Sequence, residues 1–266
     1  MLKFNMIINF ENIHLSYDEK LILKELNLKI AKGENWAILG KNGSGKSTLI
    51  KLISSEIHPR KQYKYKKEIL GKERYTLSEL KQYLGIITND LHNYFETHGN
   101  FLTTYEVVLS GYYSSIGVFK HQDFSEAQHI RALEVIEFLE LNEIKDKQVY
   151  QLSTGQLRKA IIGRALIHKP SAFILDEPTI GLDIKAQVNF INMMKKLSSQ
   201  ASIILVTHHI EEIFEEISHI ALMYENKVFI QGKKQEVLNS ENLSKIFEVD
   251  LEIAQKNGRY YFETVG

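Results

Sequence analysis

The sequence contains no cysteine, only three prolines and no net charge. The absence of cysteine excludes disulfides, thiolate zinc sites and cysteine nucleophiles. Because 33 Lys and Arg balance 33 Asp and Glu, no overall field attracts nucleic acid or an anionic membrane, and neither is expected as a direct partner. No apolar run approaches the roughly 20 residues of a membrane helix, and the first residues lack a secretory pattern. We therefore expect a cytoplasmic protein without direct membrane insertion, whose membrane partner, if any, is a separate chain.

Two kinds of periodicity divide the chain. Period-2 alternation in "IINFENIHLSY" and "LILKELNLKI" predicts antiparallel strands near the amino terminus. Further on, the strands "AFILD", "SIILVT" and "HIALMY" alternate with helices expected over 185–197 and 210–217, which favours a mostly parallel sheet covered on both faces. Apolar spacings of three and four between about 90 and 150 predict an α-helical insertion into this α/β core.

The basic, tyrosine-rich stretch at 60–75 is interrupted by Glu68 and Glu73. A run of this kind could hold a phosphate backbone. In a chain without net charge, the favoured interpretation is a solvated β-hairpin.

The stretch "GKNGSGKST" follows a short apolar strand, "NWAIL", and precedes a helix beginning "STLIKLISSEI". It fits the phosphate-loop pattern G-x-x-x-x-G-K-[ST], in which backbone N–H groups and the helix amino terminus surround phosphates. Lys46 would reach the β and γ phosphates, and Ser47 would ligate Mg²⁺. The residues expected to bind nucleotide here are Gly40, Asn42, Gly43, Ser44, Gly45, Lys46, Ser47 and Thr48.

Two carboxylates end a buried strand in "AFILDEP". Asp176 is expected to hold Mg²⁺, and Glu177 to take a proton from an attacking water. Small kinases share the phosphate loop, but no arginine-rich lid is visible. A nucleotide hydrolase is therefore favoured over a kinase.

The stretches "LSTGQ" and "ALIHKPSAFILDEPTIGLD" resemble the signature, Walker B and D-loop of ATP-binding cassette (ABC) ATPases. The resemblance implies one ABC ATPase domain spanning 1–266, with a P-loop NTPase (RecA-like) core, an N-terminal antiparallel β subdomain and an inserted helical subdomain. It places the β subdomain and nucleotide core in 1–87 and 160–232, the helical signature subdomain in 88–159, and a C-terminal extension in 233–266.

The same resemblance implies that two cassettes face each other head to tail across ATP. Ser153, a good helix N-cap, and Gly155, which permits close backbone approach, would cover the γ-phosphate bound at Lys46 of the other copy. Gln156 belongs to this signature, and Asp183 matches the D-loop aspartate that communicates across the dimer. The alternative for Ser153 and Gly155 is a merely capped helix.

Three further positions take their expected roles from the resemblance. Tyr17 would stack on adenine, with a core Tyr as the rival interpretation. His208 in "LVTHH" would contact the γ-phosphate, whereas His209 is expected to be structural. Trp36, in the strand before the phosphate loop, is expected in the core.

Two departures from the family pattern stand at functional positions. Thr154 replaces the first glycine of LSGGQ, between intact neighbours. Asn89 stands where the family has a Gln that contacts Mg²⁺ and the attacking water, and Asp90 follows it. We expect Asn89 to serve at shorter reach, as a catalytic and metal-contacting residue.

One cassette without a membrane span implies a separate permease, which would keep this chain at the inner face of the cell membrane. The segments 103–119 and 231–253 resemble cassettes of iron-chelate, cobalamin and metal-ion importers. Tyr112 and Tyr113 could line a groove that receives the permease, with ordinary packing of surface aromatics at helical spacing as the alternative. The alternative is a soluble ABC ATPase acting as a regulator or as an ATP-gated binding module.

Overall fold

The computed structural model describes residues 4–17 and 20–265, except for the side chains of Tyr17 and Lys20. Its first layer is a three-stranded antiparallel sheet of order β2-β1-β4. The strands are β1 (Met6–Tyr17), β2 (Lys20–Ala31) and β4 (Lys66–Ile69). The alternation in the first thirty residues correctly predicted β1 and β2.

The second layer is a six-stranded sheet of order β5-β6-β7-β3-β8-β9. Its strands are β3 (Trp36–Leu39), β5 (Leu84–Ile87), β6 (Ala172–Asp176), β7 (Ser202–Thr207), β8 (His219–Tyr224) and β9 (Lys227–Lys233). All neighbours pair in parallel except β8 and β9. The carboxyl ends of β3, β6 and β7 therefore lie at one edge, where open α/β sheets bind ligands.

Helices connect the strands of this sheet. They are α1 (Lys46–Ile53), α2 (Leu77–Tyr83) and α7 (Ile184–Ser198). After β9 come α8 (Lys234–Val237), α9 (Ser240–Phe247) and a hairpin of β10 (Leu251–Lys256) and β11 (Arg259–Thr264).

The helical insertion carries α3 (Asn89–His98), α4 (Thr104–Leu109), α5 (Glu126–Phe138) and α6 (Thr154–Leu166). Each helix begins after a Ser or Thr whose side-chain oxygen accepts a backbone N–H bond of the first turn. The predicted boundary between 159 and 160 falls inside α6, whereas the boundary between 87 and 88 falls between β5 and α3.

The central sheet separates two hydrophobic cores. On β3, Ala37 and Leu39 face the core shared with the helical insertion and α7, and Trp36 and Ile38 face the core shared with α1 and the three-stranded sheet. This alternation confirms a sheet covered on both faces. Trp36 is buried as expected; its Nε1 donates to Glu34 Oε2 at 2.8 Å, and its ring stacks on His219 at 4.9 Å.

Two predictions about local structure were wrong. The helix expected over 210–217 is a 3-10 turn limited to Ile210–Glu212. Ile210, Ile213, Phe214 and Ile217 are buried at helical spacing, but Ile213 has an extended backbone (ψ 106°).

The stretch 60–75 is not an isolated hairpin, because β4 extends the sheet of β1. Lys67 of β4 is half-buried, with Nζ donating to Ser55 Oγ at 2.9 Å. Burial lowers the pKa of this lysine to about 8. Among the described residues, no helix is both long and apolar enough to span a bilayer.

Candidate functional site

The glycine loop between β3 and α1 is shaped by positions that exclude a side chain. Gly43 and Gly45 have φ of +80° and +99°, which L-residues with a Cβ rarely adopt. A Cβ on Gly40 would lie 2.5 Å from Ser44 Oγ and 2.7 Å from the Met223 carbonyl oxygen. The loop backbone therefore curls tightly in front of α1, as a phosphate-binding loop requires.

Lys46 is buried at the start of α1. Its Nζ donates to the carbonyl oxygens of Gly40 at 2.7 Å and Lys41 at 3.3 Å, and lies 3.7 Å from Glu177 Oε1. Burial lowers the pKa of Lys46, and the nearby carboxylates of Glu177 and Asp176 oppose that shift. The ammonium therefore lies between the phosphate loop and the carboxyl end of β6.

The two carboxylates after β6 have different surroundings. Burial, reinforced by the charge of Glu177, raises the pKa of Asp176 to about 6. Glu177 has a φ of +48°, in a backbone region that is strained for a residue with a Cβ. Its N–H donates to the Val206 carbonyl at 2.8 Å, which fixes the side chain against the end of β7.

Glu177 lies beside the residue that follows β7. His208 Nδ1 lies 2.7 Å from Glu177 Oε1, whereas Glu177 Oε2 is buried without a hydrogen-bond partner among the described residues. The fold thus brings together Lys46, Asp176, Glu177 and His208 from three strand ends. His209 is exposed, and its backbone N–H donates to Thr207 Oγ1 at 2.9 Å.

The signature residues lie at a second place on the surface. Ser153 caps α6 in a capping box: its Oγ accepts from Gln156 N at 3.3 Å, and its own N–H donates to Gln156 Oε1 at 2.9 Å. Asp183 caps α7 by accepting from Ala186 N at 2.8 Å. Ser153, Gly155, Gln156 and Asp183 line one surface hollow of about 410 Å³. No phosphate-loop residue appears in the described lining of this hollow.

Gly155 has room for a side chain. A Cβ there would lie 3.6 Å from Leu182 Cδ2 and 3.7 Å from Ala186 Cβ, which are ordinary contacts. Its φ is not among the positive ones. Within the described chain, neither packing nor backbone conformation requires glycine at this position.

Arg158 is a residue that the sequence reasoning missed. It is buried in α6, and its guanidinium donates to Asn89 Oδ1 at 3.1 Å, to the Ile180 carbonyl at 3.1 Å and to the Pro178 carbonyl. Asn89 opens α3, so the described contact of its side chain is with α6. The sequence did contain a sign of this role. Arg158 lies three and four residues before Ile161 and Ile162, on the same buried face of α6, and a buried cation needs partners.

Glu212 was missed as well. It is buried, and it accepts hydrogen bonds from Thr179 Oγ1 and, at 3.2 Å, from Thr179 N. Burial raises the pKa of its carboxyl group. The hydrogen bonds between Thr179 and Glu212 join the turn after β6 to the turn after β7.

The remaining predicted residues are placed as follows. Asn42 and Ser47 are exposed, and Thr48 is half-buried at the start of α1. The side chain of Tyr17 lies outside the described residues, so its expected contact with adenine stays a prediction. Tyr112 is half-buried against His168, at 5.6 Å between ring centroids, and Tyr113 is exposed.

Comparison with known proteins identifies the family of this chain. The family model for ABC transporters matches residues 23–180. The ABC transporter ATP-binding protein YlmA of Bacillus subtilis is 30% identical over 96% of this chain and 96% of its own length. A Helicobacter pylori protein named a probable iron chelatin transport ATP-binding protein is 28% identical over 93% of this chain and 95% of its own.

Solved structures agree on the fold. A transporter assigned to the metal-chelate type, in an inward-facing conformation, has a TM-score of 0.78 at 23% identity, covering 98% of this chain and 97% of its own. A dimeric cassette in a post-hydrolysis state with ADP and phosphate has a TM-score of 0.67 at 26% identity, covering 85% and 98%. With the family match and the full-length relatives, this shows that the chain belongs to the ABC transporter family, as an ATP-binding cassette ATPase.

Proposed function

We propose that this chain is the ATP-hydrolysing subunit of an importer for a metal chelate or a similar small solute. On ATP it closes head to tail against a second copy and drives a separate permease, which holds it at the cytoplasmic face of the membrane. The observation that carries the hydrolytic part is the position of Glu177: its Oε1 lies beside Lys46 and His208, and its buried Oε2 has no hydrogen-bond partner among the described residues.

Nucleotide binding rests on the phosphate loop and Lys46. The loop N–H groups and the amino terminus of α1 would hold the β and γ phosphates. Lys46 now donates to two neutral carbonyl oxygens. Phosphate oxygens are charged and therefore stronger acceptors, so the ammonium group would turn toward the triphosphate.

Mg²⁺ fits the oxygen groups at this edge. Burial raises the pKa of Asp176 because it disfavours the charged carboxylate. A hard cation, which prefers oxygen ligands, would stabilise that carboxylate. Ser47 and Asp176 would hold the ion, with Asn89 nearby. Bound there, Mg²⁺ would neutralise charge on the phosphates during transfer.

Glu177 would serve as the general base. Its Oε1 is occupied by His208 and approached by Lys46, which leaves Oε2 to accept a proton from water. His208 would orient the carboxylate through Nδ1 and present its other ring nitrogen to the γ-phosphate. Water, base and phosphate would then meet at the ends of β3, β6 and β7.

The second copy would complete the site. The Ser153 hydroxyl accepts a capping bond and keeps its own O–H to donate. The room beside Gly155 supports the view that glycine serves a contact outside its own chain. Because ATP would bind the closed pair better than separate cassettes, binding closes the dimer and hydrolysis reopens it.

The permease would dock in a groove of about 410 Å³ between the core and the helical insertion. Leu77 of α2 lines this groove and is 58% exposed, and His168 lines its other side. Tyr112 packs against that His168 ring. The Helicobacter pylori relative named for iron chelatin transport supports the cargo class.

Two variants separate the transporter subunit from a stand-alone ATPase. Leu77→Glu places a charge in the groove, at the first residue of α2, where an acidic residue is favoured. We expect the purified variant to hydrolyse ATP like the wild type and to lose co-purification with a membrane permease from the source cells. Ile184→Glu, an exposed position outside the groove lining, is the control for permease capture. If the wild type captures no permease, or Leu77→Glu captures it equally well, the docking proposal is wrong.

A further inference from the structure

Three possible metal ligands meet at the ends of β6 and β7. One ligand atom each from Glu177, His208 and His209 lies within 4.8 Å of the other two. Among the residues that the structure describes, no other trio of His, Asp or Glu side chains comes as close. The rings of His208 and His209 are 3.9 Å apart between centroids.

The spacing suits one small cation after a modest side-chain rotation. Zinc binds imidazole nitrogen and carboxylate oxygen at about 2.0–2.2 Å, so its ligand atoms lie roughly 3.3 Å apart. His209 is exposed and can rotate toward the other two. Glu177 is 9% exposed, and its Oε2 has no hydrogen-bond partner in the described part of the chain, so a cation would supply the partner that this buried oxygen lacks.

The charges that face the trio permit a cation. Lys46 Nζ lies 3.7 Å from Glu177 Oε1 and opposes it, but this ammonium is also held by the Gly40 carbonyl at 2.7 Å. The carboxyl group of Asp176 lies close enough to Glu177 for the two charges to interact. Glu212 is buried, and its backbone N–H donates to the His209 carbonyl at 3.3 Å. Counting Glu177 itself, three carboxyl groups of the described residues thus lie at or beside the trio, against the ammonium of Lys46.

We propose that a borderline divalent cation, zinc first of all, binds Glu177, His208 and His209 in the nucleotide-free cassette and stops ATP hydrolysis. Two imidazoles favour zinc over magnesium, which prefers oxygen ligands. Occupying Glu177 and His208 removes the base and its orienting partner together. The inhibition rests on the proposed roles of these two residues, whereas the binding does not.

The binding experiment uses nucleotide-free full-length protein and zinc ions, with a chromogenic chelator as competitor. We expect His209→Ala to weaken the tightest zinc site by more than about 10-fold, since even outer-shell changes cost that much. His219→Ala is the matched control. His219 is half-buried beside Glu34 Oε1, at 3.6 Å, but outside the trio, and zinc binding should persist. Equal affinity in His209→Ala and the wild type overturns the proposal, whether or not the protein hydrolyses ATP.

The inhibition experiment measures ATP hydrolysis at fixed free zinc, set by a metal buffer, with saturating Mg²⁺ and ATP. Zinc should inhibit the wild type and His219→Ala, and His209→Ala should need more than about 10-fold higher zinc while its basal rate stays near normal. His209→Gln serves if the alanine variant folds poorly. If added Mg²⁺ restores hydrolysis in proportion to its concentration, zinc competes for the magnesium site, and the proposal is contradicted.

Discussion

At the scale of single residues, the candidate site depends on how two adjacent carboxyl groups are held. Asp176 ends a buried strand, and Glu177 turns away from it through a left-handed backbone. Both carboxyl groups lie near Lys46, and Glu177 also contacts His208. Two neighbouring residues of similar chemistry can take different roles because their environments differ.

Glu177→Gln should keep ATP binding, trap the closed dimer and slow turnover by ~10²–10⁴, because the amide cannot accept the proton. Nucleotide affinity, gel filtration with ATP and steady-state hydrolysis measure the three effects. Glu211→Gln, an exposed neighbour of His209, is the control and should be near normal. Near-normal turnover in Glu177→Gln would remove this residue as the base.

Asp176→Asn should stabilise the nucleotide-free protein at pH 7. The folded pKa of about 6 exceeds the unfolded value of 3.8, so the stability contributed by this group is full below pH 3.8 and is lost as pH rises through 6. When the pH rises from 5 to 7, the free energy of unfolding measured with urea should fall more for the wild type than for Asp176→Asn. The difference should be under about 1.4 kcal/mol, since the group is partly exposed. An equal loss in both proteins would contradict the assigned burial.

Sequence reasoning identified the residues that carry chemistry better than those that hold them in place. Lys46, Asp176, Glu177 and His208 belong to motifs, and the fold brings them together. Arg158 acts through bonds to two segments far away in the chain. No local pattern encodes such contacts, because they exist only once α6 has packed beside α3 and the turn after β6.

At the scale of elements, three helices of the insertion, α4, α5 and α6, begin with a capping box, and α5 and α6 form it with the same residue types, Ser and Gln. The capping boxes of α5 and α6 read Ser125, Glu126, Ala127, Gln128 and Ser153, Thr154, Gly155, Gln156. They differ in the second residue, which is Glu in α5 and Thr in α6, and in the third, where α5 carries alanine. Since α5 forms the same box with that alanine, the glycine in α6 is not a requirement of the helix.

Gly155→Ala should leave the free energy of unfolding unchanged or raise it, because alanine favours a helix and its Cβ has room. Turnover and ATP-dependent dimerisation should nevertheless fall by at least ~10-fold, as for other losses of a close phosphate contact. Ala127→Gly is the reciprocal control, expected to lose a few tenths of a kcal/mol with normal turnover. Normal dimerisation of Gly155→Ala would place the signature away from the partner's nucleotide.

Strand limits were predicted more accurately than the helix after β7. β6, β7 and β8 are continuous apolar runs, whose burial follows from composition alone. The segment after His209 has helical spacing, yet its backbone becomes extended at Ile213. It packs against β11, which lies about fifty residues further along the chain. The apolar spacing therefore predicted correctly which side chains are buried, but it predicted a helix that the backbone does not form.

At the scale of the whole molecule, the C-terminal extension contacts both the phosphate loop and the turn that follows His208 and His209. Glu248 pairs with Lys41 of the phosphate loop at 2.5 Å. The hairpin of β10 and β11 lies beside the turn at Ile210–Glu212, and Asn257 and Glu211 line one small cleft there. The extension therefore supports the segment that follows His208.

A chain ending after Asp250 should fold, because both large cores lie almost wholly before that residue. We expect kcat to fall several-fold while the affinity for ATP stays within about threefold, since the phosphate loop keeps its own bonds. Hydrolysis and nucleotide titration measure the two quantities. As a control, Lys41→Gln removes the exposed ion pair with Glu248 and the contact of the ammonium with the Tyr224 ring, and should change stability by less than about 1 kcal/mol. Unchanged kcat in the truncated chain would show that the hairpin does not support His208.

The single tryptophan gives the chain an intrinsic optical reporter. Trp36 lies in β3, four residues before the glycine loop, with its ring between Glu34 and His219. Its fluorescence would report the environment of that strand without any label and without competing emitters of the same type. Stopped-flow mixing with nucleotide could therefore follow loop rearrangement directly, in the native sequence and in every variant that retains the indole.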